Sequence, residues 1–418
     1  MIVPSIDIMR GRAVQLRHGR EFVLDGGDPM EWLERFSVAG EVSIVDLDAA
    51  MGVGSNAPLI RSMVRRAPCR VGGGIRDHAT AIGWLDAGAL RIVIGTAATP
   101  EFCAALPRER TIAAVDSVRG DVVVDGWRRP TGRPVLDAIR ELAPHVHGFL
   151  LTQVEHEGAM LGFKRDLVAS AVAAAGEARV TAAGGITSAD DVAQLDRVGA
   201  DAQVGMALYT GAMSLGEALA APLRAPIVGL WPTIVSDESH RVLGLAWSNT
   251  QSLRRAVDER RGIYWSRSRS QVWVKGETSG SRQQLLAVRL DCDRDAIQFV
   301  VRQDGTGFCH AGTRSCFGDR FDLGVLERVV ASRVAAPDGA SGTTRLLTEP
   351  GLLMAKLQEE AGELASAVTR DEVVHESADL LYLMTAALAR AGVTITDVEE
   401  ELARRRLRVT RRPMEAKS

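Results

Sequence analysis

Two aspartates, Asp7 and Asp116, stand 109 residues apart in matching surroundings, since Asp7-Ile8-Met9-Arg10-Gly11 recurs as Asp116-Ser117-Val118-Arg119-Gly120. Two further features repeat at nearly the same interval. Gly73-Gly74-Ile75 returns as Gly184-Gly185-Ile186 at an offset of 111, and Ile94-Gly95-Thr96-Ala97 as Val204-Gly205-Met206-Ala207 at an offset of 110. A carboxylate pair can give one proton and remove another, the requirement of a sugar isomerisation. Glycine-rich turns opening short helices expose backbone amides that hold phosphate. The duplicated set therefore suits a ligand with a phosphate at each end and a reactive centre between two acids. A lone glycine pair is most often a tight turn, and a lone aspartate most often a helix cap. Neither accounts for their recurrence in register.

The elements that must position these residues alternate short β-branched runs with alanine-rich helical stretches from residue 1 to about 220. A repeat near 110 residues accommodates four βα units, so two copies make the eight strands of a closed barrel. The expected first domain is a (βα)8 TIM barrel over residues 1–225. Asp7 ends strand one and Asp116 strand five, the glycine pairs follow strands three and seven, and the Gly95-Thr96 and Gly205-Met206 turns follow strands four and eight. All then lie at the C-terminal mouth.

On these motifs, together with Val45-Asp46-Leu47-Asp48 and Asp125-Gly126-Trp127, the barrel resembles phosphoribosylformimino-aminoimidazole-carboxamide ribotide isomerase over nearly its whole length. The resemblance implies an Amadori rearrangement of an aminoaldose to an aminoketose, with Asp7 as general base, Asp116 as general acid and no organic cofactor. In the loop after strand six, Thr152 matches the family, but Gln153 and Glu157 stand where aspartates are common.

Three of the five cysteines, Cys292, Cys309 and Cys316, fall within 25 residues. The short Cys-x-x-Cys knuckle of a closed zinc site is absent, and three thiolates leave a fourth position open for a water whose pKa falls to about 7. Three buried reduced cysteines are the plain alternative. Asp291, Asp293 and Asp295 resemble the start of a calcium loop, but Ala296 and Arg302 occupy positions where an EF-hand needs glycine and glutamate. On a strand the three would share one face, a hard-cation site beside a soft one. Upstream, Arg267, Arg269, Lys275, Thr278 and Ser279 lie among Tyr264, Trp265 and Trp273, and together could hold a phosphorylated purine. Segment 226–320, through Trp-Ser-Arg-Ser-Arg, Lys-Gly-Glu-Thr-Ser-Gly, Asp-Cys-Asp-x-Asp and Cys-His-x-Gly-x-x-Ser-Cys-Phe, closely resembles phosphoribosyl-AMP cyclohydrolase. That resemblance implies zinc on the three cysteines, magnesium on the three aspartates, His310 as a candidate catalytic side chain, and a homodimer whose subunits share the zinc ligands. The expected domain is a β-rich α+β metal domain over 226–335.

After a linker of small polar residues at 333–345, an all-α domain is expected over 345–418. Glu359, Glu360 and Glu363 lie at helical spacing, and Glu376 and Asp379 at i and i+3 on a second helix, so their carboxylates can converge on magnesium. A solvated helix face is the plain alternative. Lys356-Leu-Gln-Glu-Glu-Ala-Gly-Glu363 followed by Glu376-Ser-Ala-Asp379 resembles phosphoribosyl-ATP pyrophosphohydrolase. The three implied reactions are successive. Their substrates would be phosphoribosyl-ATP, phosphoribosyl-AMP and the formimino aminoaldose bisphosphate.

The composition, 46% hydrophobic and 25% charged with a net charge of -3, gives no reason to expect a nucleic-acid partner or a membrane span. The odd cysteine count and the lack of a signal-like start point to a cytoplasmic protein. Two rivals remain: a bifunctional enzyme with a purely structural barrel, and a barrel that serves tryptophan synthesis as well.

Overall fold

The computed structural model describes residues 1–160, 162–224, 229–318 and 321–411. Eight parallel strands form the first body: β1 (Ile2–Met9), β2 (Val42–Asp46), β3 (Cys69–Gly72), β4 (Arg91–Ile94), β5 (Thr111–Val118), β6 (Gly148–Gln153), β7 (Arg179–Ala183) and β8 (Ala200–Val204). Each pairs with its neighbours, β1 with β8 and β5 with β6, so the sheet closes into the expected barrel. Side chains alternate across it. On β1, Ile2, Ile6 and Ile8 are buried toward the helices, whereas Ser5, Asp7 and Met9 face a central cavity. Beneath that cavity Val93, Ile112, Leu150 and Ala183, one each from β4 to β7, pack as an inner layer. The barrel is thus a filled core with an open mouth.

The duplication is visible in the backbone. Arg10 and Arg119 are both left-handed, with φ of 51° and 53°, as are Gly73 and Gly184 at 96° and 91° and Gly74 and Gly185 at 73° and 81°. A Cβ on Gly73 would stand 2.3 Å from the Asp46 carbonyl oxygen, and one on Gly184 2.6 Å from that of Gln153. Both turns therefore require glycine for conformation and for room.

At the opposite end of the barrel, charges near the strand starts are paired. Arg70 is 5% exposed and its Nε donates to Glu41 at 2.5 Å, while its Nη1 donates to Thr181 at 2.9 Å. Arg91 shares Glu41. Asp201 is 3% exposed and lies 2.7 Å from the Met1 amino group and 2.9 Å from Arg179.

The second body has strands β9 (Trp231–Ser236), β10 (Val242–Ser248), β11 (Ile263–Ser266), β12 (Gln271–Val274), β13 (Gln283–Leu290) and β14 (Ile297–Gln303). Four make a sheet in the order β10-β9-β14-β13, and β11 and β12 form a hairpin. The expected boundary near 225 falls outside the described residues. The two bodies form one compact unit over residues 1–312, joined by 407–411 among the described residues. Their apolar residues join a single cluster, because the barrel helix Leu215–Ala220 packs on Thr250–Glu259 so closely that a Cβ on Gly216 would meet the Arg254 Cα at 2.6 Å. Arg294 reinforces the junction, donating to Asp196 at 3.2 Å.

The second unit, Thr313–Arg406, is helical. Here the expected division at 335 and 345 is corrected. Helix Leu323–Ala335, placed by the sequence with the central domain, buries Val330 against Leu346, Leu353, Leu383 and Ala386 of the helices that follow. Part of the expected linker is itself helix Gly342–Thr348. A small-residue composition reads as a linker, but the apolar Val330 stripe decides the packing. Among the described residues no single helix is long and apolar enough to cross a membrane.

Burial alone would raise the Asp201 carboxyl, but the Met1 amino group and Arg179 outweigh it and hold its pKa below the usual range. A depressed carboxylate stabilises the fold above its unfolded pKa of about 3.9, and that contribution is lost as pH falls through the folded value. Asp201→Asn is expected to lower unfolding free energy at pH 7 by about 1–2 kcal/mol, because the partners it leaves are half exposed. Denaturant titrations should show the deficit shrinking toward pH 3. A deficit that is constant with pH would contradict this role.

Candidate active and metal sites

The cavity at the barrel mouth has a volume of about 1110 Å³ and is lined by Asp7, Asp116 and Thr152 together with all four turns, Gly73-Gly74, Gly95-Thr96, Gly184-Gly185 and Gly205-Met206. The two aspartates, Thr152 and the four turns singled out from the sequence therefore open into one space. Asp7 is carried by β1 and Asp116 by β5, on opposite sides of the ring.

The two acids sit in different surroundings. Burial pushes the Asp7 carboxyl up to about 6, opposed by the Ser5 hydroxyl donating to Oδ1 at 3.0 Å. Burial also raises Asp116, while hydrogen bonds from the Thr152 hydroxyl and the Trp127 indole favour its anion. A third carboxyl, Glu157, is pushed up to about 8 by burial first and then by Asp7 and Asp116. All three retain some contact with solvent through the mouth. The protein nevertheless surrounds them closely enough for the charged forms to be penalised.

Sequence reasoning left several of these partners unassigned. Ser5 lies two residues before Asp7, so the strand period alone places both on the inner face. Trp127 belongs to the Asp125-Gly126-Trp127 turn, whose Asp125 and Trp127 have φ of 58° and 66°. The cations Arg20, Arg76, Arg128 and Arg133 line the mouth and lie in no repeated motif. In Val45-Asp46-Leu47-Asp48, by contrast, the acids are structural: Asn56 Nδ2 bonds both Asp46 at 2.8 Å and Asp48 at 3.0 Å.

In the second body, the oxygens of Asp291, Asp293 and Asp295 lie within 4.8 Å of one another. The expectation that they share a strand face is corrected, because β13 stops at Leu290 and the three form a turn. The Asp291 Oδ1 accepts the backbone N–H groups of Asp295 at 2.9 Å and Ala296 at 3.1 Å, and Arg294 adopts a φ of 68°. Local side-chain bonding to the backbone thus outcompetes the ladder. Three clustered carboxylates suit a hard cation such as magnesium.

Cys292 follows the end of β13 and Cys309 follows β14, while Cys316 belongs to the helical unit. None of the three is fully buried, unlike Cys69 and Cys103, which disfavours the reading of inert core thiols. The Ala311 N–H donates to the Cys309 sulfur at 3.5 Å, and a set of sulfur donors fits zinc by its chemistry. His310 is exposed beside Cys309. Arg267 lies over the Trp247 ring at 4.4 Å, Arg269 Nε donates to Ser266 at 3.3 Å, and Lys275 is buried over Phe308 at 5.5 Å. Thr278 and Ser279 are exposed on the turn beyond.

Of the five helical acids, Glu360, Glu363 and Glu376 converge within 4.8 Å. Glu359 instead takes Lys356 at 2.8 Å, and Asp379 lies 3.5 Å from His375. The trio is an oxygen donor set matched to magnesium.

Comparison with known proteins follows the same division. The model for histidine biosynthesis protein matches residues 1–214, that for phosphoribosyl-AMP cyclohydrolase 244–318, and that for phosphoribosyl-ATP pyrophosphohydrolase 323–406. The histidine biosynthesis trifunctional proteins of Saccharomyces bayanus and Kluyveromyces lactis are 45% and 48% identical over 190 and 192 residues. Each match covers 45% of this chain and 24% of the relative, so the chain spans about a quarter of their length. The histidine biosynthesis bifunctional protein HisIE of Gloeobacter violaceus is 42% identical over 193 residues, covering 43% of this chain and 88% of that protein. By its barrel the chain belongs to the histidine biosynthesis protein family, and it carries a cyclohydrolase segment and a pyrophosphohydrolase segment behind that barrel in one polypeptide.

Proposed function

We propose that this chain performs three consecutive steps of histidine biosynthesis: release of pyrophosphate from phosphoribosyl-ATP, hydrolytic opening of the purine ring of phosphoribosyl-AMP, and isomerisation of the resulting aminoaldose to the aminoketose. The observation that carries the isomerase step is the single cavity holding Asp7, Asp116 and all four phosphate-type turns. The order of the two following family segments supports the other steps.

In the barrel, the turns after β3 and β4 hold one phosphate of the substrate and those after β7 and β8 the other. The sugar is then fixed between the two aspartates. Asp116 gives a proton to the ring oxygen as the ring opens, and its resulting anion is stabilised by Thr152 and Trp127. Asp7 removes the proton from C2. With a pKa near 6 it is largely ionised at neutral pH yet more basic than an ordinary aspartate. A retained acid/base pair in a ligand-sized cavity favours an active barrel over a purely structural one.

Asp291, Asp293 and Asp295 of the second body would hold magnesium, and Cys292, Cys309 and Cys316 would serve as zinc ligands, with two copies of the chain contributing them. A zinc held by these thiolates would supply acidification of the water that opens the purine ring. Arg267, Arg269, Lys275, Thr278 and Ser279 bind the nucleotide, and His310 moves a proton. In the helical unit Glu360, Glu363 and Glu376 would hold magnesium, whose charge offsets that of the departing pyrophosphate. Glu359 and Asp379 flank that trio.

Asp7→Asn or Asp116→Asn should lower isomerase kcat by at least ~100-fold while the two hydrolytic activities persist. Aminoketose formation within a few-fold of wild type in either variant would remove the assignment. The assay should include the tryptophan-pathway aminoaldose, turnover of which would identify a dual isomerase.

Glu363→Gln should weaken magnesium binding to the helical unit by roughly tenfold or more, read by calorimetry, and suppress pyrophosphate release without stopping ring opening. Unchanged magnesium affinity would place the cation elsewhere. Cys309→Ser or Cys316→Ser should lose zinc by elemental analysis together with ring opening, leaving the isomerase rate nearly unchanged. Folded variants with full zinc content or full cyclohydrolase turnover would contradict the thiolate site.

A further inference from the structure

Helix Ile395–Leu407 ends where the chain leaves the helical unit, and residues 407–411 belong to the unit that contains the barrel. They also lie beyond the pyrophosphohydrolase match, which stops at 406. Residues 404–411 are rich in arginine, a composition that ordinarily marks a solvated chain end. Here the backbone is held instead. Leu407 and Val409 are half-buried while Arg408 and Thr410 are exposed, the alternation of an extended segment lying on a surface. Val409 packs against the main apolar cluster.

The surface that receives this segment is built from the end of the barrel helix His78–Ala87 and the start of β5. Asp86 stands in the last turn of that helix, where a carboxylate opposes the helix dipole, so the helix itself gains nothing from it. The tail gains instead. Asp86 Oδ1 accepts the backbone N–H groups of Val409 at 2.7 Å and Thr410 at 3.1 Å. Burial alone would raise this carboxyl, but the bonds from Thr410 and Val409 and the nearby Arg110 charge hold it below the usual range. Arg110, immediately before β5 and 6% exposed, donates through Nε to the Leu90 carbonyl at 3.2 Å and through Nη2 to those of Leu85 at 3.2 Å and Ala89 at 2.5 Å. The barrel's own backbone thus fixes the guanidinium, and Nη1 donates to the Leu407 carbonyl.

We propose that Leu407–Thr410 is an intramolecular docking peptide, held by Asp86 and Arg110 on the barrel, which fastens the far end of the pyrophosphohydrolase segment to the barrel of the same chain. A fixed acceptor and a fixed donor read the backbone of the tail, and Val409 is its apolar anchor. The helical unit is then secured at both ends, by its covalent start after Gly312 and by this strap after Arg406. Recognition through backbone and Val409 leaves the exposed Arg408 without a role in docking.

Amide hydrogen exchange of the full chain, resolved by mass over residues 407–411, tests the proposal. Slow exchange is expected at Val409 and Thr410 in wild type and in Arg408→Ala. Asp86→Ala removes the acceptor and Val409→Asp puts a charge in the apolar seat, so each should speed exchange there by ~tenfold or more. Isomerase and hydrolytic rates report that both variants are folded, since neither residue lies in a catalytic or metal site. Free-peptide exchange at 409 and 410 in wild type would overturn the proposal, as would wild-type protection in both variants. Producing Asp86→Ala and Val409→Asp chains together separates a strap within one chain from a tail exchanged between copies. In an exchanged pair the intact tail of an Asp86→Ala chain would meet the intact Asp86 of its partner and regain protection. No recovery is expected, and recovery would overturn the assignment to the same chain.

Discussion

Closure of eight parallel strands into a ring is the constraint on which the barrel site depends. It fixes the ends of β1 and β5 on opposite sides of one mouth and so holds two carboxylates apart across a space into which their own helices cannot collapse. The inner layer of Val93, Ile112, Leu150 and Ala183 closes the floor, so charge at the mouth is surrounded by protein on every side but one. That enclosure raises Asp7, Asp116 and Glu157 together. The chemistry is therefore a consequence of packing: the same aspartates on a solvated surface would be ordinary carboxylates with little capacity to take up or hold a proton near neutrality.

Duplication supplies the rest of the site economically. One βα pattern used twice yields two aspartates, two glycine pairs and two further turns, and the paired backbone angles of Arg10 with Arg119 and Gly73 with Gly184 show that the copies retain the same local conformation. The copies differ where the ligand must be read asymmetrically. Glu157 stands beside Gly184 of the second glycine pair, and Trp127 hydrogen-bonds Asp116. A symmetric scaffold thereby gives two unlike acids and two unlike phosphate turns.

Much of this was legible in the sequence because barrel strands keep a strict inward and outward alternation, and because a feature repeated in register cannot be a chance turn. Asp7, Asp116 and the four glycine turns chosen on that basis line the cavity. Legibility failed where local hydrogen bonding decides the conformation. Asp291, Asp293 and Asp295 converge through a turn built on Asp291 rather than on one strand face. In the helices, spacing alone cannot tell which carboxylates remain available: Lys356 draws Glu359 aside, and Asp379 has His375 one turn before it. The fate of helix Leu323–Ala335 likewise rested on Val330, a tertiary contact hidden by the polar stretch that follows. The elevated Glu157 carboxyl depends on residues from β1 and β5, distant in sequence, and has no local signature.

The central claim is that one polypeptide connects three reactions, and a single-substrate assay tests it most directly. Purified chain supplied with phosphoribosyl-ATP, magnesium and zinc, and no other enzyme, would be followed for pyrophosphate and for the sugar products by mass-resolved chromatography. The account predicts pyrophosphate and aminoketose in equal final amounts, with phosphoribosyl-AMP and aminoaldose present only transiently. Accumulation of the aminoaldose as the end product would contradict it, leaving two hydrolytic activities behind a barrel that binds without turning over.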